Sequence, residues 1–169
     1  MHCKKSGFLT LSLLIGIVII IHSCTYNELP TTQEGDKILF SQISDPSAFT
    51  YYQSGNTLTP ASASPHGAFK LRFNTVAASV LDGTGKLPAG STFPAGSILV
   101  KEVYVSGNLS IYAVIKKAPT DGSSSGGWLW AEIKPDGTPY ISSKLQGVSC
   151  TGCHGESPNR DLTRTFDFH

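Results

Sequence analysis

The chain has 169 residues, with 13 Lys+Arg against 12 Asp+Glu and a formal charge of +1. So even a balance offers no basic face for nucleic acid, which excludes that partner class. Seventeen glycines and ten prolines call for many turns and argue against a helical bundle.

Residues 1–23 read as an export signal. Lys4 and Lys5 form a basic start, and residues 8–21 follow as a mostly apolar run of 14. That run is short of the roughly 18–20 residues a membrane span needs. It ends at Ile21-His22-Ser23-Cys24. The order aliphatic, variable, small, Cys resembles a bacterial lipoprotein cleavage box, so Cys24 is expected to become a lipidated N-terminus. An ordinary signal peptide or an uncleaved anchor is the alternative. The signal sends the chain to the periplasmic side of the bacterial cell envelope, held to the membrane through its lipid. Its removal leaves 146 residues, enough for one domain with a core. It also takes two of the 13 basic residues and no acid, so the remaining charge is −1.

Residues 24–36 are polar, carry Pro30 and read as a tether; residues 37–169 form the domain. Ile38-Leu39-Phe40 with Ile43 suggests a short helix before Asp45-Pro46, and Phe49, Tyr51 and Tyr52 suggest a second helical turn. Residues 57–65 are a loop. Residues 69–73 alternate apolar and basic, the pattern of a half-buried strand. Asn74 can cap a helix over 75–81, which Asp82-Gly83 ends. After a Pro/Gly loop at 87–96 come three strands, at 97–105, 109–117 and 128–133. Ser106-Gly107-Asn108 supplies a hairpin turn between the first two, and Lys134-Pro135-Asp136-Gly137 closes the third. The expected fold is α+β and mainly β: an antiparallel sheet of four to five strands with a few short helices.

Cys150-Thr151-Gly152-Cys153-His154 is the C-x-x-C-H spacing of a c-type haem attachment site. Two thiols three positions apart can each add to one vinyl group of the same porphyrin. The histidine that follows then supplies a nitrogen to the iron. A structural disulfide, a redox pair or half a zinc site is the alternative. A zinc site would want a second Cys/His pair, and the sequence has none. The four cysteines are then all assigned: Cys3 leaves with the signal, Cys24 takes lipid, and Cys150 and Cys153 take haem c.

Lys101 lies within Ile98-Leu99-Val100-Lys101-Glu102-Val103-Tyr104-Val105, where both alternating faces are largely apolar. Burial would depress its pKa and leave a nucleophilic neutral amine. The plainer reading is a side chain that snorkels outward or pairs with a carboxylate. Of the remaining histidines, His66 sits in a loop before a strand and is a possible distal residue or a surface side chain. His169 is terminal. Trp128 and Trp130 share a strand face and read as core or haem-wall packing. Arg160 and Arg164 are candidates to pair with haem propionates, or with Asp161 or Asp167.

The stretch Phe93-Pro94-Ala95-Gly96-Ser97-Ile98-Leu99-Val100-Lys101-Glu102, the later Gly127-Trp128-Leu129-Trp130, the late C-x-x-C-H and then Asp161-Leu162-Thr163 resemble the cytochrome P-460 family in their order. The resemblance covers about residues 66–169. It implies a mainly antiparallel β fold, a haem iron held by His154 with an open distal side, and a covalent bond from Lys101 to the porphyrin. It also implies oxidation of hydroxylamine or binding of nitric oxide. The family's oxidising members carry a distal carboxylate on the strand after the lysine. Residues 109–117 contain no acid, and the matching position falls near Ile115. Two functions follow as expectations. One is redox chemistry on small nitrogen species, with a redox partner protein taking the electrons. The other is a non-enzymatic gas binder or electron carrier. Met1 is the only methionine and leaves with the signal, which excludes a His/Met axial pair.

Overall fold

A computed structural model describes residues 32–60, 64–118 and 124–167. Cys24, the signal and His169 lie outside the described residues. Among the described residues, helix α1 (Thr32–Ile43) is followed by β1 (Phe49–Tyr51), β2 (Ala68–Asn74), α2 (Thr75–Ala78), β3 (Ile98–Val105), β4 (Asn108–Lys117), β5 (Trp128–Ile133), β6 (Pro139–Ile141) and α3 (Thr151–His154). The six strands form one antiparallel meander in chain order.

The four expected strands all form, so the sheet agrees with the sequence pattern, with two strands added at its edges. Phe49-Thr50-Tyr51 is β1 and not a helical turn. Its residues pair with Asn74, Phe73 and Arg72 of β2, and the ladder outweighs a local preference three residues long. Edge strand β6 tolerates Pro139 because a proline there need not donate to a further strand. The expected helix over 75–81 stops at Ala78. Asn74 caps it as predicted, its Oδ1 accepting from the Ala77 amide at 3.0 Å and also from the Ile98 amide at 2.9 Å. One side chain therefore ties the helix start to β3.

Alternation splits the sheet into two apolar faces. On one, Ile98, Val100, Val114, Ala131 and Ile133 pack under Leu39 and Ile43 of α1. On the other, Phe69, Leu71, Phe73, Leu99, Trp128 and Trp130 gather with Phe93 and Phe166 from the loops. Helix α1 reaches back into the expected tether and is pinned there. Buried Asp36 accepts from Ser142 Oγ at 2.6 Å, from the Ser143 amide at 2.9 Å and from Ser143 Oγ at 2.6 Å. These bonds fix the corner from which the chain enters the C-x-x-C-H segment.

Beneath the α1 face lies a buried ion pair, Arg72 Nε to Glu102 Oε1 at 2.8 Å. Arg72 also donates to Ile43 O at 2.7 Å and stacks over the rings of Phe49 and Tyr112. Glu102 accepts from Tyr51 Oη at 2.9 Å and Tyr104 Oη at 3.1 Å. Burial, and after it the Glu102 charge, push Tyr104 up to about 12, so its hydroxyl stays a donor. Removing one partner strands a buried charge. Arg72→Ala is expected to lower unfolding free energy by about 3–5 kcal/mol in guanidinium titrations. Arg72→Met combined with Glu102→Gln is expected to lose less, because no buried charge remains.

Candidate haem-binding cavity

The site is built on the sheet face opposite α1. One row across the strands reads Leu71, Lys101, Ala113, Glu132, and the next reads Leu99, Ile115, Trp130. Over this face runs the chain from Ser142 to Phe166, carrying α3. Between them is a cavity of about 920 Å³ lined by Lys101, His66, Glu132, Trp130, Cys150, Cys153, His154, Thr163 and Arg164, with Leu99, Ile111, Ala113 and Ile115 as its apolar floor. Its volume is at the upper end for a cofactor site.

The C-x-x-C-H motif forms a single helical turn. Cys150 precedes α3, and Cys153 and His154 end it. Both thiols are free; Cys150 is half-buried and Cys153 exposed. His154 Nδ1 lies 2.7 Å from Leu162 O. A carbonyl only accepts, so Nδ1 carries the proton and Nε2 keeps its lone pair. Burial lowers the His154 pKa to about 4, leaving a neutral imidazole at neutral pH. The ring of Trp130 stands edge-on to it, 4.8 Å between centroids and tilted 72°. Gly147 allows this packing: its φ is +67°, and a Cβ there would overlap the Trp130 indole.

Lys101 projects into the cavity from the middle of the sheet, as the alternation of β3 predicts. Its Nζ sits 4.4 Å from the Phe69 ring centroid. Burial pulls its pKa down to about 8, opposed by the neighbouring Cys153. Glu102, its sequence neighbour, faces the other side. Strand β4 indeed carries no acid, and Ile115 lies on the cavity floor. The cavity nevertheless holds a carboxylate, supplied by Glu132 of β5. One of its oxygens lies 3.3 Å from His66 Nε2, both side chains being largely buried. His66 Nδ1, also buried, has no hydrogen-bond partner. Glu132 was findable from the sequence: it alternates with Trp128 and Trp130 and so shares their face.

The other candidates separate. Arg164 lines the cavity, donating to Cys153 O at 2.8 Å and to Glu156 Oε2 at 2.9 Å. Arg160 turns away, bonded to Asp167 at 3.0 and 3.1 Å and to Leu87 O at 2.6 Å, so it is not placed to meet a group in the cavity. Trp130 is a cavity wall, whereas Trp128 is core, packed against Phe93 and under Lys117.

The residues fit a haem. Two thiols and one imidazole come from one turn. The floor is apolar, and buried His66 Nδ1 and Thr163 Oγ1 in the cavity wall lack partners. Residues 43–165 match the family model described as Cytochrome P460. No curated protein matches the chain.

The depressed lysine has a pH consequence. Between about pH 8 and its ordinary value of 10.5, the unfolded chain binds more protons than the folded one, so stability rises with pH across that window. Denaturant titrations of the haem-free chain at pH 8 and pH 10 are expected to show this rise. Lys101→Met is expected to flatten it.

Proposed function

The chain belongs to the cytochrome P460 family, and from that premise we propose that it is an exported, lipid-anchored mono-haem c-type cytochrome. Its iron keeps one side open to small nitrogen species, hydroxylamine or nitric oxide. The observation that carries this reading is the convergence of His154, Lys101 and the His66–Glu132 pair on one cavity. The thiols of Cys150 and Cys153 would hold the porphyrin through thioethers, and His154 Nε2 would bind the iron. Lys101 would meet the ring, bonded to it or against its edge. Arg164 would pair with a propionate. When bound, the haem supplies the iron that takes electrons from the substrate.

The chain's own residues manage the protons. Oxidising hydroxylamine releases protons, and the cavity offers an acceptor pair for them. His66, whose buried Nδ1 has no hydrogen-bond partner, would take a proton there, and the Glu132 carboxylate 3.3 Å from Nε2 would balance the charge that develops on the imidazole. The apolar floor formed by Leu99, Ile111, Ala113 and Ile115 supports the second reading, a gas-binding haem protein without turnover. Leu145 and Val148, exposed at 48% and 77% just before the haem motif, would suit a redox partner protein that docks there.

Glu132→Gln is expected to slow hydroxylamine-dependent reduction about 10²–10⁴-fold, with carbon monoxide binding to the ferrous form unchanged. Equal rates in both proteins would favour the gas-binding reading. Cys24 is expected to be the lipidated N-terminus at the periplasmic membrane surface. Intact mass after detergent extraction checks this, and an unlipidated mass or a different cleavage site would contradict it.

A further inference from the structure

The loop after α3 carries a feature that the proposed chemistry does not use. Asp161 and Leu162 are both in the left-handed region, with φ of 52° and 63°, and neither is glycine. For leucine that conformation is strained and needs surrounding structure to impose it.

The surroundings are specific. The Asp161 carboxylate accepts from Lys117 Nζ at 2.7 and 2.9 Å and from the Phe93 amide at 2.8 Å. Lys117 ends β4 and lies over the Trp128 ring at 4.7 Å. Asn159 Oδ1 accepts from the Leu162 amide at 3.1 Å, and Arg160 and Thr163 exchange backbone hydrogen bonds across the turn. The outcome is a Leu162 carbonyl held 2.7 Å from His154 Nδ1. Side-chain exposures of 17% and 9% for Lys117 and Asp161 mean that solvent screens the pair weakly.

We propose that the Lys117–Asp161 ion pair is a positioning device for the iron-ligating histidine: it fixes the turn that aims the Leu162 carbonyl at His154 Nδ1, and so sets how strongly His154 donates to the iron. This rests on the haem reading above. A firm Nδ1–H···O bond makes the imidazole a stronger donor and favours the ferric state; loosening it weakens the iron–histidine bond and favours the ferrous state. Neither residue lines the cavity, so both act through His154 and not on substrate.

The test uses the haem-loaded protein and the variants Asp161→Asn, Lys117→Gln and Lys117→Arg. Readouts are the reduction potential and the iron–histidine stretch of the ferrous form by resonance Raman, with haem content and thermal unfolding measured alongside. Asp161→Asn and Lys117→Gln are expected to retain haem, lower the stretching frequency and shift the ferrous/ferric ratio about tenfold toward ferrous, 59 mV for one electron. Lys117→Arg is expected to restore most of both shifts. The double variant is expected to move no further than either single one. If Asp161→Asn fails to fold, Lys117→Gln and its arginine rescue decide. A lowered melting temperature with potential and stretch unchanged would overturn the proposal, reducing the pair to a structural brace. Wild-type protein without covalent haem would defeat the haem reading itself and this inference with it.

Discussion

Strand β3 must place a charge on each side of the sheet. Lys101 and Glu102 are neighbours, so the pleat sends them to opposite faces. The two charges meet different environments. Glu102 is fully answered: Arg72 pairs with it and two tyrosine hydroxyls donate to it. Lys101 faces an aromatic ring and a cavity, with its pKa pulled down by burial. An ion pair is buried where the fold needs one, and an amine of lowered pKa stands where the cofactor would sit. The register of β2, β3, β4 and β5 then decides what surrounds that amine, because Ala113 and Glu132 fall in the same row.

The second constraint is the closure of the C-terminal chain over that face. Asp36 anchors its start through Ser142 and Ser143, and Asp161 anchors its end through Lys117 and the Phe93 amide. Between these anchors the C-x-x-C-H turn hangs over the cavity with His154 gripped by Leu162 O and Trp130. The sheet supplies the floor with Lys101 and Glu132, while the closing segment supplies the imidazole and the thiols. Neither part makes a site alone.

Much of this was legible in the sequence, for identifiable reasons. Strands β2 to β5 show their alternation over enough residues to be read, and Asn74 announces a cap that the structure uses twice. The C-x-x-C-H spacing is local chemistry and needs no fold to be recognised. Strand alternation left Lys101 free to snorkel outward or to pair, and only the family resemblance put it at the site, where the structure buries it. Strands β1 and β6 were not legible, because each is three residues long and exists through pairing. Beyond its alternation with Trp128 and Trp130, Glu132 has no local signature as a cavity acid, because register brings it beside Lys101 from β5 and not from β4, the strand that follows the lysine. The left-handed turn at Asp161 and Leu162 has no local signature. It is imposed from Lys117, 44 positions earlier in the chain.

Denaturing gel electrophoresis with haem staining addresses the cavity's occupant most directly. Haem should migrate with the denatured wild-type chain and be absent from a Cys150→Ser/Cys153→Ser double variant, since thioethers survive unfolding and coordination does not. Haem lost from the denatured wild type, or kept by the double variant, would contradict attachment through these two thiols.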